Sequence, residues 1–405
     1  NEAEFFRQIH QELITPGTCG VGYNSIRFDD EVTRYGFYRN FFDPYAREWQ
    51  NGNSRWDIID LVRLTHALRP EGVVWPHHED GMPSFRLEQL TEANGIPHQG
   101  AHDALADVYA TIDLARLIRS CQPRLFDYLL RMRGKQQLRE QLDLRAGKPV
   151  LHVSSMYPAS RGCIAMVAPL AQHPTNNNGI VVYDLRYDPE PLIRLDPEQI
   201  AERLFTPRDQ LPEGQERIPL KTVHLNKCPV VVPMSTLTEQ AAERWGIDVA
   251  VGQTYLQRLS AAPGLERKIR AVFAARRFDR ETDPDRNLYG GGFFNDADKR
   301  RMQQIRETEP ELLGRLPQMF DDARLPEMLF RYRARNWPDT LSREERQRWD
   351  TYRKQRLTGK DAGSSITLDD FGRQLAQIMV DPALGEREKA ILSQLADWPA
   401  AIGLR

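Results

Sequence analysis

Three short stretches carry residues whose types and spacing suit chemistry. The first ends at Asp29. An apolar run, Cys19 to Tyr23, passes through Asn24-Ser25-Ile26-Arg27-Phe28 into Asp29. A strand feeding a helix there puts the carboxylate in the crevice at the strand's carboxyl end, where open α/β sheets place ligands. An Asp near a helix start equally serves the helix dipole or its cap. The second stretch is Ala101-His102-Asp103-Ala104-Leu105-Ala106-Asp107. Residues five apart lie about 140° apart around a helix. His102 and Asp107 therefore meet only if His102 lies in the loop before the helix and Asp107 inside it. Asp103 then serves as N-cap or first-turn acid, and Asp107, between apolar neighbours, calls for a partner such as a metal or an arginine. The third is Ser84-Phe85-Arg86-Leu87, where Arg86 at a helix start can grip a phosphate or stand as a solvated surface arginine.

The elements that must position these residues follow from hydrophobic periodicity. Residues 1 to 14 predict a helix ended by Pro16 and Gly17, and Cys19 to Tyr23 a buried strand. Asn24 to Asn40 predicts a helix capped by Asn24 or Ser25. Further helices are expected over Trp56 to Leu68, Ser84 to Ala93 and Ala101 to Ser120. The last of these carries Leu105, Val108, Ile112, Ala115 and Ile118 on one face. Beyond Gln122-Pro123, a charged helix leads into β-branched runs at Val150 to Val153, Ile164 to Ala168, Ile180 to Leu185, Thr222 to Leu225 and Pro229 to Pro233. From about residue 276 the chain reads as helical to its end.

The 405 residues hold 55 basic and 57 acidic side chains, so net charge gives no sign of nucleic-acid binding. Four cysteines without a CxxC pair favour a reducing, cytoplasmic setting over a disulfide framework or zinc ribbon. No apolar run approaches the ~20 residues of a membrane span.

Asn-x-x-x-Phe-Asp followed about seventy residues later by His-x-x-x-x-Asp resembles the DEDDh 3′–5′ exonucleases. The strings GYNSIRFDDEVTR, FYRNFFDPYA, NSRWD, LRPEG, PSFRLEQLTEANGI, AHDALADVYAT and QPRLFDYL, then HLNKCPV, GGFFNDAD and FRYRARNWPDTL, resemble the bacterial exonuclease I (exodeoxyribonuclease I) family over essentially the whole chain. The resemblance implies α/β, β and α parts in that order. These are a ribonuclease-H-like exonuclease domain over 1–121, an SH3-like barrel over 124–275 and a helical C-terminal domain over 276–405. It implies hydrolysis of single-stranded DNA from the 3′ end to 5′-mononucleotides in DNA repair and recombination, with two Mg²⁺ ions in the complete enzyme.

By the same resemblance Asp29 and Asp107 match metal-holding carboxylates and His102 matches the general base. Arg86, Phe85, Arg34, Tyr45, Trp49 and Arg63 match positions along the family's DNA groove, arginines for phosphates and rings for stacking. The implied partners are single-stranded DNA and the single-stranded DNA-binding protein. The acidic C-terminal tail of that protein suits a pocket containing Arg69, Tyr128 and Lys148, although Thr238 stands where an arginine is expected. A monomer is expected.

One departure changes the expected activity. The family's other two carboxylates come from an Asp-x-Glu motif on its first strand, and that segment is expected ahead of residue 1. Within the chain Asp-x-Glu recurs at Asp29/Glu31, Asp188/Glu190, Asp196/Glu198 and Asp279/Glu281, none on a suitable strand. The 405-residue chain alone is therefore expected to be inactive or nearly so, with some helices exposing apolar faces. The alternative is a non-catalytic remnant that binds single-stranded DNA or a partner. It is favoured by Phe330 to Trp337, where arginines and aromatics interleave as on a stacking surface.

Overall fold

The structure, a computed structural model, describes residues 1–98, 103–275, 281–317, 319–359 and 363–403. In chain order it begins with α1 (Glu2–Ile14), β1 (Cys19–Gly22), α2 (Asp29–Arg39), β2 (Ser54–Asp57), α3 (Ile59–Leu68), α4 (Leu87–Ala93), α5 (Ala104–Cys121), α6 (Pro123–Arg131) and α7 (Lys135–Gln141). There follow β3 (Val150–Val153), β4 (Ile164–Gln172), β5 (Gly179–Asp184), α8 (Glu190–Arg194), α9 (Pro197–Phe205), β6 (Leu220–His224), β7 (Val230–Pro233), α10 (Glu239–Trp245), α11 (Val249–Ala261) and α12 (Leu265–Ala274). The last stretch is helical, α13 (Asp296–Glu307), α14 (Leu325–Asn336), α15 (Arg343–Thr358), α16 (Leu368–Met379) and α17 (Glu386–Ala401). Among the described residues no helix is long and apolar enough to cross a membrane. All four cysteines are free thiols.

Two compact units result. One comprises Ile9–Tyr35 and Asp43–Arg280, the other Asn1–Gln8, Gly36–Phe42 and Glu281–Arg405.

In the first unit β1 and β2 pair in parallel, Cys19 opposite Ser54 and Gly22 opposite Asp57. Strand β2 lies where a helix from Trp56 is expected. The helix starts three residues later, at Ile59, because Asp57 ends the strand and its Oδ1 accepts the Ile59 N–H at 3.1 Å. The expected helix from Asn24 likewise begins only at Asp29. Asn24 sits at φ 58°, in the left-handed region, and its side chain caps nothing. The Asp57 carboxylate takes the Asn24 and Ile26 N–H groups instead, at 2.8 and 3.2 Å.

Five antiparallel strands in the order β6-β5-β4-β3-β7 make the β-rich part. Alternation along them is apolar on both sides. Val150, Ala165, Val167, Ile180, Val182, Val223 and Val231 share one core with Leu138 and Leu142. Leu151, Val153, Ile164, Met166, Val181 and Val232 face the other way, into a core with Trp56, Leu61, Leu114, Ile118 and Phe126. Helix α5 enters that core through Ala110, Thr111, Leu114 and Ile118. Much of the expected apolar stripe lies outside, as expected of a helix that exposes an apolar face: Leu105, Val108 and Ile112 are exposed, with Tyr109 beside them. This helix has apolar residues around much of its circumference, and periodicity alone does not choose the packed side.

In the second unit Phe6 packs on Phe37. A Cβ on Gly36 would lie 1.9 Å from the Phe6 ring, so only glycine fits there. Helix α14 overturns the expected stacking surface. Phe330, Arg331, Tyr332 and Arg333 are all buried. Arg331 is held by Asp283 (2.5 Å), Asp285 (3.3 Å) and Glu327 (2.8 Å). Arg333 is held by Glu345 (2.7 Å) and Arg335 by Asp285 (2.8 Å). Burying a guanidinium is tolerable only with such partners; Glu327 lies one turn away on α14, whereas Asp283 and Asp285 come from about fifty residues earlier.

Candidate active site

Asp29 opens α2 and is exposed, while its neighbour Asp30 is buried. Partial burial, reinforced by the adjacent Asp30, pushes the Asp29 carboxyl up from the usual aspartate range. Asp30 is committed to the fold: Oδ1 takes Arg47 at 2.6 Å and Oδ2 takes Arg55. At α5 both acids are engaged. Asp103 is its N-cap, accepting the Leu105 and Ala106 N–H groups at 3.1 and 3.2 Å. Asp107, one turn on, remains partly exposed, and its Oδ1 lies 2.7 Å from Nε2 of His98. The partner expected for Asp107 is thus at least in part a histidine that the spacing argument missed. The available signal is a second loop histidine four residues before His102. His102 itself lies outside the described residues.

The other site residues fall into two groups. Arg86 is exposed and stands in extended conformation at the N-cap of α4. Beside it the Phe85 ring lies 5.7 Å from the Arg63 guanidinium, and the Phe85 carbonyl accepts the Tyr23 hydroxyl at 2.6 Å. Arg63 is also held by Asp60 at 2.5 Å. In the second group Arg34 is almost wholly buried. Glu48 grips it at 2.7 and 3.0 Å and Glu31 at 2.8 Å. Its guanidinium lies 5.6 Å from the centre of the Tyr45 ring. Burial pushes the Tyr45 phenol up to about 12. Trp49, by contrast, is 61% exposed. Arg34 and Tyr45 thus belong to a packed ion network, whereas Trp49 and Arg86 present free-standing surface.

Carboxylates such as those of Asp29 and Asp107 are the hard oxygen donors that divalent cations take. Among the described residues no three His, Cys, Asp or Glu side chains converge on a metal position. The other described Asp-x-Glu pairs are occupied. Asp188 and Glu190 hold Arg258 at 2.8 and 2.5 Å. Asp196 caps α9.

At the expected partner pocket, Arg69 donates to the Thr236 carbonyl at 3.1 Å. The Tyr128 hydroxyl is buried with no partner. Lys148 lines a separate cleft of about 670 Å³ with Gln253, Leu256 and Gln257. Thr238 caps α10 through Ala241 N–H at 3.1 Å.

The family descriptions that match are Exonuclease over residues 2–115, Exonuclease I SH3-like domain over 133–275 and Exonuclease I C-terminal domain over 282–402. The chain belongs to the exonuclease I family. Exodeoxyribonuclease I of Escherichia coli strain K12 is 47% identical over 393 residues, 97% of this chain and 81% of that protein. Exonuclease I from Methylocaldum szegediense superposes with a TM-score of 0.95 at 52% identity, covering 100% of this chain and 85% of that one. E. coli exonuclease I in complex with a dA16 oligonucleotide gives 0.92 at 45%, over 100% and 85%. An ExoI/SSB-Ct complex gives 0.88 at 44%, over 100% and 84%. As an exonuclease I the chain combines an RNase-H-like exonuclease domain, an SH3-like domain and the family's C-terminal domain.

Proposed function

We propose that this exonuclease I acts on single-stranded DNA as a 3′–5′ exodeoxyribonuclease releasing 5′-mononucleotides, with Asp29 and Asp107 as divalent-metal ligands. One observation carries the assignment. Asp30 is consumed by two arginines and Asp103 by a helix cap, which leaves the exposed Asp29 and the partly exposed Asp107, held by His98, as the motif-matched carboxylates that reach the surface. The complete family site uses two Mg²⁺ ions, which supply a polarised phosphate and an acidified water when bound. His102 is proposed to take the proton from that water. Arg86 holds a phosphate near the scissile end, Phe85 and Trp49 stack on bases, and Arg63 supports the Phe85 ring. Arg34, on α2 itself, and Tyr45 act indirectly, through the ion network with Glu31 and Glu48 that braces α2.

These 405 residues match two of the four family carboxylates, Asp29 and Asp107, and we propose that, prepared without the family's Asp-x-Glu segment, they bind DNA without cutting it. Assignment of DNA repair, a monomeric state, a cytoplasmic location and domain limits of 1–121, 124–275 and 276–405 belongs to the same reading. The partner reading places the acidic tail of the single-stranded DNA-binding protein on Arg69, Tyr128 and Lys148, weakened by Thr238.

The test uses 5′-labelled single-stranded DNA with Mg²⁺ or EDTA, an Asp107→Ala control and gel shift of the same samples. A shifted, uncut band is the expected result. A Mg²⁺-dependent ladder that disappears in the mutant would refute inactivity while supporting the metal role of Asp107. Neither shift nor cutting would overturn the DNA-binding reading.

A further inference from the structure

Asp107 belongs to a chain of side chains that starts inside α4. The Thr91 side chain is buried, and its hydroxyl lies 2.9 Å from both the Leu87 and Glu88 carbonyls. Its Oγ1 lies 3.0 Å from Nδ1 of His98, and Nε2 of His98 faces Asp107 at 2.7 Å. A carboxylate only accepts, so Nε2 carries a proton and donates to it, whichever way the Thr91 hydroxyl turns. The His98 side chain is 6% exposed and that of Asp107 42%. The imidazole is thus sheltered while the carboxylate it holds reaches the surface. The backbone reinforces this placement. Helix α4 closes with Gly95 at φ +66°, and the Ile96 N–H donates to the Thr91 carbonyl at 2.9 Å, turning the chain so that residue 98 returns over residue 91.

A surface ion pair alone gives no reason for this arrangement. Exposed pairs contribute little and need no second hydrogen bond to fix the ring. A carboxylate that must meet a cation in one geometry does gain from it. Ligands oriented by an outer hydrogen-bond partner bind metal roughly 10–100-fold better than the same ligands without it.

We propose that His98 is a positioning residue: it fixes the Asp107 carboxylate in the orientation that receives a divalent cation, and Thr91 fixes the His98 ring. The proposal rests on the reading of Asp107 as a metal ligand. Neither residue touches the cation.

The test is Mn²⁺ titration of the 405-residue protein, followed by electron paramagnetic resonance at constant pH. Wild type, His98→Ala, His98→Gln, Thr91→Val and Asp107→Ala are compared, with single-stranded DNA gel shift in EDTA as a second readout. His98→Ala is expected to weaken Mn²⁺ about 10–100-fold, with EDTA-state DNA binding unchanged. His98→Gln, which offers both an N–H donor and an acceptor, restores most of the affinity. Thr91→Val keeps the volume, loses the hydroxyl and weakens Mn²⁺ by less; it carries the test if His98→Ala fails to fold. Wild-type affinity in both His98→Ala and Thr91→Val, alongside loss in Asp107→Ala, overturns the positioning role and leaves the metal assignment standing. Absence of any Asp107-dependent Mn²⁺ binding in wild type overturns both.

Discussion

Asp29 and Asp30 are adjacent and chemically identical, yet the structure assigns them opposite work, and substitution separates the two. The Asp30 side chain is 8% exposed, and those of Arg47 and Arg55 are 6% and 5%. Arg47 sits 2.6 Å from Oδ1. Arg55 contacts Oδ2 and has a longer link to Glu48 at 3.4 Å. Asp30→Ala therefore leaves two buried guanidinium groups short of an anion. Removing one partner of a buried ion pair typically costs about 3–5 kcal/mol, and this position serves two partners, so the upper part of that range is expected. Asp29 is exposed and has no such duty, so Asp29→Ala should stay within about 0.5 kcal/mol of wild type. Urea denaturation followed by tryptophan fluorescence reads both, since Trp56 lies in the core of the same unit. Buried pairs are poorly screened, so the Asp30→Ala loss should persist in ~1 M NaCl. An Asp30→Ala protein as stable as wild type, or an Asp29→Ala protein that loses more than about 2 kcal/mol, would refute this division of roles.

Acid should weaken the fold before the carboxylates titrate. Burial, with cationic neighbours, holds His66 and His224 down at about 4 and buried His152 well below its ordinary value. The unfolded chain takes up these protons near pH 6.5, so stability is complete above that pH and falls as pH drops from 6.5 toward 4. The urea midpoint should be lower at pH 5 than at pH 7, and less so in His66→Phe; equal midpoints would contradict this. DNA contacts should separate by salt dependence. Arg86→Ala should reduce the slope of log affinity against log salt by about 0.7, and Trp49→Ala should cost about 1–3 kcal/mol of binding. Arg331→Ala should lower thermal stability but leave the slope alone. A reduced slope for Arg331→Ala would restore the surface reading of α14.

Local pattern made much of this legible. The strands at 150–153, 164–172, 179–184 and 220–224 are β-branched runs between turn residues, and their alternation survives in the sheet. Strand β2 was less visible because it is four residues long and its partner lies 35 residues earlier, Cys19 against Ser54.

The order of the three parts and the residue types at Asp29, His102, Asp107 and Arg86 were already determined by the sequence, since family strings and local spacing are properties of the chain alone. Only tertiary structure decided which charged groups are available to a ligand. Arg331 and Arg34 look like DNA contacts in sequence and are buried in carboxylate cages. Asp30 looks like Asp29 and is held by Arg47 and Arg55. His98 looks like an ordinary loop histidine and grips Asp107. The physical reason is that these groups are held by partners that only the folded chain brings into place, Glu48 for Arg34, Asp283 and Asp285 for Arg331, Arg47 and Arg55 for Asp30 and His98 for Asp107, and where the group is buried those partners meet the cost of its charge.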